Sequence, residues 1–119
     1  MSKADIVQRG WDAVAAGDWD KLVADYTEDM IFVMPGQADV LEGRAAFRSA
    51  LDGFGGIVPP GFEVTSVRNI EGTDEVISIA GWKSNKVEAS QFVILFRFRG
   101  DAIYEERWFV DTEQWKGAF

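Results

Sequence analysis

Phe92-Val93-Ile94-Leu95-Phe96-Arg97-Phe98-Arg99, then Gly100-Asp101, then Ala102-Ile103-Tyr104-Glu105-Glu106-Arg107-Trp108-Phe109-Val110, is the stretch that decides the fold. Two runs rich in aromatic and β-branched residues, separated by Arg99-Gly100-Asp101, read as antiparallel strands joined by a tight turn. That turn also accounts for the adhesion-like tripeptide it spells. In the first run Phe92, Ile94, Phe96 and Phe98 alternate against Gln91, Val93, Leu95 and Arg97, so both faces are substantially apolar. Such a sheet must be covered twice. Helices can cover one side, and a second copy of the chain is the simplest cover for the other, which predicts a homodimer through the sheet face.

Upstream, Phe62 to Ile70, Glu75 to Trp82 and Glu88 to Arg99 read as strands parted by Glu71-Gly72-Thr73-Asp74 and Ser84-Asn85-Lys86, and Ala102 to Val110 closes the series. The first half is mainly helical. From Ala4 to Ala16, Ile6, Val7, Trp11, Val14 and Ala15 form one helical stripe that stops at Gly17. Asp18 can cap a short second helix carrying Trp19, Leu22, Val23 and Tyr26. Met30 to Met34 is a buried strand ended by Pro35-Gly36, and a loop runs to Gly43. Arg44 to Phe54 is a third helix, broken by Gly55-Gly56 and Pro59-Pro60-Gly61. The pattern predicts a single α+β domain over residues 1–119 with a mostly antiparallel sheet.

The composition removes much chemistry. With 119 residues, 47% of them hydrophobic, one core can form unaided. The chain has no Cys and no His, which excludes disulfides, thiolate metal sites, the commonest general base and every Ser-His-Asp arrangement. Carboxylates, Tyr, Lys or water must do any proton transfer. A net charge of −8 repels a phosphate backbone, so no nucleic acid partner is expected. Met1-Ser2-Lys3-Ala4-Asp5 lacks the basic and then apolar run of a secretory signal, and no apolar stretch approaches the roughly 18 to 20 residues of a membrane span. A soluble cytoplasmic protein without membrane contact is the expectation. Glu71-Gly72-Thr73-Asp74-Glu75 lacks the spacing of a calcium loop, so no metal is expected.

The order helix, helix, strand, helix and four antiparallel strands resembles the nuclear transport factor 2-like superfamily, in its SnoaL-like and ketosteroid isomerase-like branch. Ile6-Val7-Gln8-Arg9, Ala15-Ala16-Gly17-Asp18-Trp19 and Tyr26-Thr27-Glu28-Asp29 resemble the family's opening. Gly43-Arg44-Ala45-Ala46-Phe47 and the close from Phe96 through Gly100 to Asp111-Thr112 are similar to it too. The resemblance implies a cystatin-like cone, a strongly curved sheet wrapped around the N-terminal helices with a central pocket and no cofactor. It also locates the family's catalytic positions. The base of ketosteroid isomerases falls at Met34, their oxyanion-holding Tyr at Gly10 and their protonated Asp at Ile94. The last-strand Asp of the epoxide hydrolases falls at Trp108, and residues 79–82 hold neither Arg nor Asp. Both mechanisms lack their groups here.

If Ile94 faces the pocket, strand parity turns Phe92, Phe96 and Phe98 the same way, and the same matching turns Tyr104, Glu106, Trp108 and Val110 inward. Glu106 is then the acid in the cavity, its pKa raised by apolar walls, as a general acid or base near neutral pH requires. Two other placements stay open: Glu106 at a wet rim or paired with an Arg, and a one-residue slip that puts Glu105 in its place. Tyr26 can donate its hydroxyl to a ligand oxygen, or can be a core Tyr with that hydroxyl satisfied. Trp82 and Trp108 suit pocket walls, whereas Trp11 and Trp19 suit helix packing, Trp11 also counting among the lining. The expected lining is thus Trp11, Met34, Trp82, Phe92, Ile94, Phe96, Tyr104 and Trp108. Asp39, Glu42 and Arg44 either gate the mouth or are a solvated loop that starts the third helix. The expected ligand is a small apolar or aromatic molecule bearing a carbonyl or hydroxyl. It is turned over in a cofactor-free isomerase, dehydratase or hydrolase reaction, or merely held by a carrier, sensor or interaction module.

Overall fold

A computed structural model describes every residue from Met1 to Phe119. Ser2 starts the first helix: its hydroxyl accepts the Asp5 N–H, and the Asp5 carboxylate accepts the Ser2 N–H in return. Helix α1 (Lys3–Ala16) buries Ile6, Val7, Trp11 and Ala13 and stops at Gly17, whose φ of 68° suits a residue without Cβ. Asp18 caps α2 (Trp19–Val23) by accepting from the Lys21 N–H. The second helix ends earlier than its apolar spacing implies. Tyr26 does not close it but opens strand β1 (Tyr26–Val33), because the Ile103 N–H donates to the Asp25 carbonyl and draws the chain into the sheet.

The expected loop before Gly43 holds a short strand, β2 (Val40–Glu42), paired antiparallel with Ile31 to Val33. Helix α3 (Arg44–Asp52) buries Phe47 and Leu51, and Gly53 ends it. The glycines that read as breakers, Gly55 and Gly56, form a further helical turn, α4 (Phe54–Ile57). Strands β3 (Glu63–Glu71), β4 (Glu75–Lys83), β5 (Ser90–Arg99) and β6 (Ala102–Phe109) follow as a meander. A last helix, α5 (Thr112–Gly117), has no counterpart in the sequence reading. Asp111 caps it, and Trp115 is its one buried residue. No helix is long and apolar enough to cross a membrane.

The strands form one sheet in the order β2-β1-β6-β5-β4-β3, antiparallel except where β1 runs parallel to β6. The ladder is interrupted in β1, between Val64 and Ser66 of β3, and where β5 meets the start of β6. Such irregularities bend a strand and increase its twist. The one in β6 also changes which residues point inward. Phe98 pairs with Ile103 and Arg97 with Glu105, so Tyr104 is an extra residue. Parity therefore runs Ile103, Glu106, Trp108 on the helix-covered face. Tyr104, expected in the pocket, stands outside with the Arg99 guanidinium 5.0 Å from its ring centroid.

The covered face carries Val76, Ser78, Ala80 and Trp82 of β4 and Phe92, Ile94, Phe96 and Phe98 of β5, all buried. The opposite face keeps Val93 and Leu95 half-buried and Ile77 and Phe109 exposed. On that face Glu105 lies between Arg107 Nε at 3.2 Å and Arg97 Nη1 at 3.6 Å.

Candidate functional site

An acid stands among aromatic rings on the covered face of β6. Across the ladders Glu106 is opposite Phe32 of β1 on one side and Phe96 of β5 on the other, and it is only 6% exposed. Its two carboxylate oxygens are both engaged. Oε1 accepts a short hydrogen bond from the Tyr26 hydroxyl, and Oε2 accepts from Trp108 Nε1 at 2.6 Å. The arginines that could have neutralised it belong to residues of the other parity and serve Glu105. Of the placements the sequence leaves open, Glu106 occupies the interior and Glu105 the arginine-paired exterior.

Burial pushes the Glu106 carboxyl up to about 7, although the hydrogen bonds from Trp108 and Tyr26 favour the ionised form and oppose the rise. Burial and the adjacent Glu106 charge raise the Tyr26 phenol well above its ordinary range. Tyr26 is held in place by neighbours on both sides. Its ring packs 5.2 Å from that of Phe47 of α3, which stacks on Phe32 at 5.1 Å, and Arg44 Nη1 donates to its carbonyl at 3.1 Å. Arg44 thus ties the first turn of α3 to the start of β1.

These groups open onto a cavity between α1, α3 and the sheet, with about 800 Å³ not filled by atoms when its open mouth is counted. Only a small part of that space is wide enough for a water molecule. Its walls are overwhelmingly apolar, and none of its lining residues is a Lys or Arg. Of the expected lining, Trp11, Met34, Phe96 and Trp108 are on the wall, with Glu106 and Tyr26. Trp82, Phe92 and Ile94 are not. They face the right way but lie behind other rings. Trp82 packs 5.8 Å from Phe62 and 5.3 Å from Trp115, Phe92 lies 4.9 Å from Trp108, and Ile94 is completely buried.

Sequence reasoning missed Asp25, which lines the cavity beside Tyr26 and takes a two-pronged bond from Arg9 of α1, at 2.9 Å from Nε and 2.5 Å from Nη2. No local signal joins a residue of α1 to one 16 positions on, in the turn before β1. It also missed Phe62 and Trp115 as lining, since that role depends on how the chain after α3 and α5 folds back. A groove between α1 and β3 adjoins the cavity, shares Trp11, Val14, Phe54, Phe62 and Val64 with it, and adds Gln8, Asp12, Glu63, Thr65 and Ser66.

A relay of hydrogen bonds leads from the wall to that groove. Trp11 Nε1 donates to Ser78 Oγ at 3.1 Å and Ser78 Oγ to Asn69 Oδ1 at 2.6 Å. Asn69 Nδ2 then donates to Gln8 Oε1 at 3.1 Å, and Gln8 Nε2 to Asp12 Oδ1 at 3.1 Å. On the other side of the cavity, Gln37 has φ 66° and ties the loop that carries Met34 and Pro35 to β6. Its amide donates to the Trp108 carbonyl at 2.5 Å and accepts from Arg107 Nη1 at 3.0 Å. No three acidic side chains converge in a way that would hold a metal ion.

A family model described as a SnoaL-like domain matches residues 7–106. No curated protein matches the sequence. Among solved structures, Bal32a from a soil-derived mobile gene cassette is 23% identical, with 98% of this chain and 95% of that one covered at a TM-score of 0.83. A provisionally named polyketide cyclase from Xanthomonas campestris pv. campestris is 18% identical, with 98% of both chains covered and a TM-score of 0.78. A provisionally named ketosteroid isomerase from Kribbella flavida is 15% identical, covering 90% of this chain and 76% of that one at a TM-score of 0.76. Identities this low speak to the fold, and others among the neighbours are described by a cystatin-like fold alone.

Proposed function

Since the chain belongs to the SnoaL-like domain family, we propose that it takes an uncharged apolar cyclic or aromatic compound into its cavity and that Glu106 moves a proton to or from that compound. The observation that carries this reading is the Glu106 carboxyl on the cavity wall, without a cationic partner and with Tyr26 and Trp108 fixing its two oxygens. A carboxyl poised near neutrality can be found in either protonation state at working pH, which suits a group that both removes and returns a proton. The chemistry is of the cofactor-free isomerase, dehydratase or hydrolase kind. Trp108 and Tyr26 are positioning residues for the acid, and Phe32 and Phe96 keep water from it.

Glutamate labelled at the carboxyl carbon, with the Glu106 signal assigned by its loss in Glu106→Gln, tests the proposal by nuclear magnetic resonance. An apparent pKa near 7 that moves when acetophenone is added is the expected result. An ordinary acidic titration, unmoved by the ligand, would remove the proton-transfer role. A second reading, a carrier or interaction module without chemistry, draws support from how little of the cavity is wide enough even for a water molecule. Under it the signal would respond to ligand while no proton exchange at the bound compound could be detected.

A further inference from the structure

The polar corner of the cavity has a fixed number of donors, and the carboxylate uses all of them. When Glu106 is ionised, the Tyr26 O–H and the Trp108 N–H both point at it. The walls beside them are apolar and include no Lys or Arg, so a carbonyl oxygen seated against Glu106 would find no donor in that corner and would be buried unpaired, a costly arrangement. A ligand hydroxyl can still donate to the remaining lone pairs of the carboxylate. A proton on Glu106 reverses this. One oxygen goes on accepting from Trp108, while the other, now a hydroxyl, donates to the Tyr26 oxygen. The Tyr26 O–H is then free to turn into the cavity that its ring already lines.

We infer that Glu106 controls whether Tyr26 faces the ligand, so that a carbonyl compound binds together with one proton whereas the corresponding hydroxyl compound binds without one. The inference rests on the cavity being the ligand site, as proposed above, and adds which functional group each protonation state accepts. Other ionisable groups nearby do not compete for this role. Arg9 of α1 and Asp25 are bound to each other, Asp12 faces the groove outside, and Arg44 of α3 is held on the Tyr26 carbonyl. From β5 the residue paired with Glu106 is Phe96, while Arg97 meets Glu105 on the far face. α2, α4, β3 and α5 contribute apolar side chains such as Leu22, Ile57, Val64 and Trp115. The rise of the Glu106 carboxyl to about 7 puts the exchange within reach of ordinary buffers.

Acetophenone and 1-phenylethanol share a skeleton and differ in this one group. Calorimetric titration of the whole protein with each, from pH 6 to 8.5 and in two buffers of different ionisation enthalpy, reads affinity and proton uptake together. Acetophenone is expected to weaken by about tenfold per pH unit above the Glu106 midpoint, with uptake approaching one proton. The alcohol should hold its affinity over that range. Glu106→Gln keeps an oxygen for Trp108 and an N–H for Tyr26, so it should bind the ketone equally at pH 6 and pH 8.5. Ketone affinity that is flat with pH in the natural protein, or an alcohol that weakens in parallel, overturns the inference and leaves the cavity reading standing. Failure of both compounds to bind at either pH overturns both. The measurements on the natural protein decide the matter even if the variant does not fold.

Discussion

At the scale of single residues, Glu106 is a stability device as well as a candidate proton carrier. Its pKa is raised from 4.5 to about 7 on folding, so the native state holds a proton that the unfolded state has released between those values. The resulting stabilisation is complete below the unfolded pKa and is lost as pH rises through about 7, a difference of about 3 kcal/mol at most. Urea unfolding at pH 5 and pH 8.5 should show the natural protein losing stability at the higher pH, and Glu106→Gln should lose much less. Ser78 presents the opposite case, a buried polar group that does not titrate. Ser78→Ala leaves the Trp11 N–H without its acceptor and should lower the unfolding free energy by about 1 to 3 kcal/mol, measured by denaturant midpoint. Alternation along β6 was enough to turn Glu106 inward, because the decisive residues lie on the regular side of the bulge. Tyr104 sits in the bulge, where a period of two fails. The partners Asp25 and Arg9 were invisible for another reason: they meet only after α1 and the start of β1 have packed.

At the scale of elements, apolar periodicity located the long pieces and failed on the short ones. Strands β3 to β6 each bury several side chains at alternate positions, and that redundancy marks them. β2 has three residues and no buried side chain, α4 is a single turn containing two glycines, and α5 buries only Trp115. Their stability comes from what they dock on, which a local pattern cannot contain. The same limit explains Tyr26. Its position at i+4 from Leu22 fits a helix, yet the Ile103 N–H claims the preceding carbonyl for the sheet. Gln37 extends this edge: beyond the end of β1 its side-chain amide continues the bonding to β6 by taking the Trp108 carbonyl, and so fixes the loop that places Met34 on the cavity wall.

For the whole molecule, the two-sided apolar character of β5 has only half its explanation inside the chain. The helices account for Phe92, Ile94, Phe96 and Phe98. The other face still presents Val93 and Leu95 beside the exposed Ile77 and Phe109, with Arg97, Glu105 and Arg107 among them. Covering that face with a second copy predicts a sedimenting mass twice the 13.3 kDa of the chain, and Leu95→Glu should return it to a monomer. A natural protein that sediments as a monomer at micromolar concentration would remove the dimer. Five tryptophans make up part of this architecture, and three of them, Trp11, Trp108 and Trp115, line one cavity. Trp108 has its indole N–H on the very carboxylate whose charge changes near neutrality. The excited state of an indole shifts charge across its ring, so its emission responds to an ion held against it. The emission wavelength of the natural protein, followed through neutral pH, should therefore shift with the charge on Glu106, and that shift should be missing from Glu106→Gln.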